Sequence, residues 1–132
     1  MGTQPGTPDG GTIQLPRSEN SLADSLSTEA ILNRVSWEAA HTHVQPSPGC
    51  FLVGYFDGGS REENRHSGAG CVLILFNDSS DPIVLSRGSY YLGPGTNNEA
   101  EATAVLILLR TIVAYLYKSA GVVMDGLSLP AS

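Results

Sequence analysis

Positive charge is scarce in this chain: 7 Lys and Arg stand against 13 Asp and Glu over 132 residues, a net of −6. That balance excludes the basic stripe that holds nucleic acid by electrostatics alone, and it disfavours an anionic bilayer surface. Cysteine is almost absent. Cys50 and Cys71 set up no disulfide framework and have no metal-ligand spacing; they read as reduced core thiols of an intracellular protein, nuclear or cytoplasmic. Long apolar runs are also missing. The richest, 105–117, is interrupted by Arg110 and is too short to cross a bilayer. The opening "MGTQPGTPDGG" lacks the regions of a signal peptide and has Gly6 where a myristoylation site needs Ser or Thr. No membrane partner is expected.

What the chain does carry is carboxylate, the natural ligand of hard divalent cations. Its placement depends on how the chain is organised. Residues 1–26 are rich in Gly, Pro, Thr and Ser and offer too little apolar surface to offset the entropy of ordering. "STEAILNRVSWEAAHTHV" predicts a short helix near 28–43, capped by Ser27 or Thr28. "QPSPG" (45–49) closes this segment. Residues 1–49 are therefore expected to form a mostly disordered extension, and 50–132 the domain.

From Cys50 onward the pattern is that of a folded α/β unit, or α+β by stricter usage. "CFLVGYF" suits a buried strand ending at Asp57, "GCVLILF" a second, and "IVLSRGSYYL" a third, with turn-rich connections between them. "GPGT" then opens a long helix that Thr96 or Asn97 can cap. Glu101, Val105, Leu108, Ile112 and Leu116 recur on one face of it. "VVMD" reads as a fourth strand ending in Asp125. A strand that follows a helical crossover lies parallel to one already in the sheet, and ligand sites of open sheets form beyond such strand ends. If the fourth strand pairs with the first, Asp57 and Asp125 sit together and Glu101 leans over the same place. Glu99, one turn earlier, is expected to be a solvated first-turn residue favoured by the helix dipole. A divalent pair such as Mg²⁺ would offset the repulsion among three carboxylates.

"FDGGS" (56–60), "GAG" (68–70) before an apolar strand, "TNNEAEATA" (96–104), an apolar helix and "VVMD" occur in that order. Together they resemble the ribonuclease H family, most closely its type I members and the domains that accompany retroelement reverse transcriptases. The resemblance covers about 51–126, the first half of such a domain. It implies a ribonuclease H-like mixed sheet and an endoribonuclease that cleaves the RNA strand of an RNA–DNA hybrid with two Mg²⁺ (or Mn²⁺) ions. By the same resemblance Asp57, Glu101 and Asp125 are the catalytic metal ligands. Gly58, Gly59 and Ser60 match the loop along the hybrid's minor groove, where 2′-hydroxyls mark RNA. Thr96, Asn97 and Asn98 match the polar helix start that contacts backbone and sugar.

The match is incomplete. Family members continue after the counterpart of Asp125 with further helices, a fifth strand, a basic element and a last helix bearing a fourth catalytic Asp. Here the chain reads "GLSLPAS", with Gly126 in place of the usual Ser, and "EENRH" (62–66) replaces an Asn-Pro-Gly-Pro turn. The expected consequences are weak metal binding, low or absent turnover, and apolar surface open to self-association. The alternative is a non-catalytic relic or polyprotein fragment that acts as a nucleic-acid or protein interaction module.

Overall fold

The computed structural model describes residues 17–78 and 81–121. Their elements run α1 (Arg17–Asn33), β1 (Trp37–Ala40), β2 (Phe51–Arg61), β3 (His66–Phe76), β4 (Ile83–Gly93) and α2 (Asn97–Ser119). The strands form one sheet in the order β1-β4-β3-β2, covered by α1 on one face and α2 on the other. The α+β class expected from the sequence is what the chain adopts.

β3 explains the layering. It reads "HSGAGCVLILF" and is buried at every position but its two ends, because successive side chains enter opposite cores. Ala69, Cys71, Leu73 and Leu75 pack with Ala104, Leu108 and Tyr115 of α2. Val72 and Ile74 pack with Tyr55 of β2 and with Ala23 and Leu26 of α1. A strand covered on both faces has no polar side to alternate with, which is why it reads as a continuous apolar run.

Three expectations need correction. The sheet is antiparallel throughout among the described residues, not mixed; the segment read as a parallel strand, 122–125, lies outside them. The fourth strand present is β1, paired with β4 from Trp37↔Ser89 to Ala40↔Ser86. It occupies part of the stretch expected to be a helix over 28–43. The helix lies earlier, from Arg17, in residues expected to be disordered. Its buried stripe is Ala23, Leu26, Ser27, Ala30 and Ile31, at helical spacing but mostly small. Small side chains suit it because it lies directly on Gly68 and Gly70 of β3. A Cβ at Gly68 would fall 2.7 Å from the Ser27 carbonyl oxygen.

α2 has the expected start. Thr96 Oγ1 accepts from Glu99 N at 3.1 Å and Glu99 Oε1 accepts from Thr96 N at 2.8 Å, a reciprocal capping box. Glu99 is the exposed first-turn carboxylate expected there, and it also caps the helix. The sheet-facing stripe is offset from the one expected: Ala100, Ala104, Leu108 and Tyr115 are buried, whereas Leu116 is half-exposed and Glu101 is exposed. At 23 residues, α2 is long and apolar enough to cross a membrane, because the helix reaches well beyond the 105–117 run. In this fold one face lies on the sheet, and Leu106, Leu109 and Val113 are exposed on the other.

Candidate functional site

Asp57 lies in the middle of β2, not at a strand end. Gly58, Gly59 and Ser60 continue the strand, paired with Ala69, Gly68 and Ser67. Gly58 lets the first turn of α2 come against the strand: a Cβ there would stand 2.5 Å from Glu101 N and 2.6 Å from the Ala100 carbonyl oxygen. Asp57 itself faces the other helix. Ser27 Oγ of α1 is 3.0 Å from Asp57 Oδ2.

An open cleft of about 450 Å³ joins these elements. From α1 it takes Asp24, Ser27, Thr28 and Ile31; from β2, Asp57 through Arg61; from α2, Asn97, Asn98 and Glu101. Since β2 is at the edge of the sheet among the described residues, a residue at the start of α2 can face a cleft that also receives Asp57 from the opposite side of the sheet. Burial is the main cause that holds the Asp57 carboxyl above its ordinary value. A shared hydrogen bond with the Asp24 carboxyl and the negative charges of Asp24 and Glu101 push the same way, against the lowering effect of the Ser27 hydroxyl.

Of the residues singled out in the sequence, Asp57, Gly58, Gly59, Ser60, Asn97, Asn98 and Glu101 meet in this cleft. Thr96 is engaged in the cap, and Asp125 lies outside the described residues. Asn97 ties the two elements together: Asn97 Oδ1 accepts from Ser60 N at 2.7 Å. Ser60 Oγ also donates to Asn64 Oδ1 at 2.8 Å, and Asn64 O accepts from Gly95 N at 2.9 Å. The replaced turn at 62–66 is thereby fastened to the loop before α2.

Asp24 was missed because 1–26 reads as low in apolar content, and Ser27 and Thr28, expected to be caps, lie in the interior of a helix that starts at Arg17. The available signal was "LADSLSTEAI", in which Ala23, Leu26 and Ala30 mark one helical face and Asp24 and Ser27 sit three residues apart beside it.

The donor set is chemically suited to Mg²⁺ or Mn²⁺. Asp24, Asp57 and Glu101 offer hard oxygens, and none of them is in an ion pair among the described residues. No three acidic, His or Cys groups are already gathered at metal-ligand spacing among those residues. Mg²⁺ does not need such a cage, since it commonly binds through one or two carboxylates and keeps several waters. Comparison with known proteins adds nothing to these observations: no protein-family model matches the chain, and no curated protein or solved structure is significantly similar to it.

Proposed function

We propose that the chain is a metal-dependent nuclease of ribonuclease H type that acts on the RNA strand of an RNA–DNA hybrid. The observation that carries this reading is the convergence of Asp57, Glu101 and Asp24 in one cleft beside Ser60, Asn97 and Asn98. Two of the ordered motifs that suggested the family, "FDGGS" and "TNNEAEATA", supply seven of the twelve described residues that line the cleft.

A bound pair of divalent ions would supply a nucleophilic hydroxide and charge stabilisation at the leaving oxygen. The chain's own groups perform the remainder. Asp57 and Glu101 would hold the ions, with Asp24 adding a third carboxylate. The backbone of Gly59, which has no side chain to keep a ligand away, would lie against the minor groove, with Gly58 holding α2 beside it. Ser60, Asn97 and Asn98 are placed for sugar and phosphate oxygens. Arg61 is the one cation among the described residues of the lining and is available to a neighbouring phosphate. The products expected of this chemistry are a 5′-phosphate and a 3′-hydroxyl.

A second reading is favoured by the absence of three donors already at ligand spacing among the described residues. On that reading the chain is a non-catalytic relic or interaction module that keeps the cleft and not the turnover. Strand selectivity tests between the two. With end-labelled substrates in Mg²⁺, the nuclease reading expects cleavage of the RNA strand in a hybrid and none of its DNA strand. A folded chain that binds hybrid without cutting it supports the second reading.

A further inference from the structure

Ser27 is a buried polar residue whose hydroxyl has more to bond than it can serve. It is 2% exposed, and its single proton has two acceptors in reach: the Asp24 carbonyl oxygen at 2.9 Å and Asp57 Oδ2 at 3.0 Å. A serine inside a helix satisfies itself on the carbonyl one turn back, so folding of α1 does not require Asp57 as a partner. Asp57, by contrast, gains a donor from that hydroxyl. Charge-assisted bonds are the stronger kind, so ionised Asp57 takes the proton and the helix carbonyl gives it up.

The donor is also held rigidly. Cβ atoms at Gly68 and Gly70 would meet the Ser27 carbonyl oxygen at 2.7 Å and the Ser27 nitrogen at 2.8 Å. The Ser27 backbone therefore rests directly on β3, and Asp57 sits on the neighbouring strand β2. Sheet register fixes one partner and helix docking fixes the other. A hydroxyl supported in this way can set the orientation of a carboxylate before any ligand arrives.

We infer that Ser27 is a positioning residue of the site: its hydroxyl orients the Asp57 carboxylate for ligand binding, which makes α1 a working part of the cleft. This inference rests on the nuclease reading above, in which Asp57 is a metal ligand. The full-length chain would be assayed for Mn²⁺ affinity by calorimetry and for hybrid cleavage as wild type, Ser27→Ala, Asp57→Asn and the double variant. Ser27→Ala should weaken Mn²⁺ binding and lower kcat by roughly tenfold, with KM for the hybrid unchanged and the melting temperature within a few degrees of wild type. In the Asp57→Asn background the same change should have no further effect on Mn²⁺ affinity, because Ser27 acts through Asp57. Equal losses from Ser27→Ala in both backgrounds would make its role structural and overturn the inference. Mn²⁺ binding that depends on Asp57 but is unmoved by Ser27→Ala would overturn it while leaving the nuclease reading intact. A folded wild type with neither Mn²⁺ binding nor cleavage would remove both.

Discussion

An alanine at Gly70 is the sharpest test of the contact between α1 and the sheet. Its Cβ would press into the Ala23 carbonyl oxygen and stand 2.8 Å from both Leu26 Cβ and Ser27 N. These are backbone and near-backbone atoms that no rotamer change can move. Two responses compete. The helix can undock, which exposes Leu26 and Ile31, now 3% and 5% exposed, at about 1.5–3 kcal/mol each, together with Ala23 and Ala30. Alternatively α1 can stay and absorb the overlap, at the 1–3 kcal/mol typical of an overpacked core. Absorbing is cheaper, so α1 should remain docked with the strain near the upper end, about 3 kcal/mol. For a folded unit of roughly 100 residues this lowers Tm by roughly 10–15 °C. Thermal melts followed by circular dichroism read it, with Gly59→Ala as control, since its Cβ would meet only Asn97 Oδ1 at 3.9 Å. A Gly70→Ala chain that melts within 2 °C of wild type would refute the packing of α1 described above.

Other consequences can be checked on the same protein. Thr96→Ala removes the capping-box acceptor for Glu99 N and should cost about 0.5–2 kcal/mol in urea unfolding; an unchanged midpoint would contradict the cap. Glu63 is exposed and holds φ at +55° in the β2–β3 turn, so Glu63→Gly should stabilise by up to about 1 kcal/mol, and a loss of stability would contradict the turn geometry. Asp57 has a folded pKa above its ordinary 3.8. Its native form therefore holds a proton more tightly than its unfolded form does. The resulting stability is complete below about pH 4 and is lost as pH rises through the folded value. Urea unfolding in EDTA should show wild type losing stability over that window relative to Asp57→Asn; a gain would contradict the raising of the carboxyl by burial and by its acidic neighbours.

Much of the strand and helix pattern was legible because it rests on local rules. The runs beginning at 50, 70 and 83 and the helix after Thr96 carry apolar periodicity and a cap signal that survive in the fold. Asp57 and Glu101 share a cleft, as expected, but for a different reason. The expectation joined them through the end of a parallel strand. In the fold, Asp57 is mid-strand, and Gly58 lets the start of α2 come close beside β2. The N-terminal half was opaque because its signal is small size rather than hydrophobicity. Ala23, Ser27 and Ala30 look like linker composition until Gly68 and Gly70 are known to lie beneath them. β1 was misread for a related reason: "WEAA" has residues common in helices, and only pairing with β4 makes it a strand, a tertiary preference over a local one.

Cleavage of an RNA–DNA hybrid labelled on the RNA strand, under single-turnover conditions in Mg²⁺, tests the central claim most directly when wild type and Asp57→Asn are compared side by side. Wild type should cut, and an Asp57→Asn chain that melts as cooperatively as wild type should cut at least about a hundredfold more slowly, near 3 kcal/mol in the barrier. Equal rates from the two proteins, or no cleavage by a folded wild type, would contradict it.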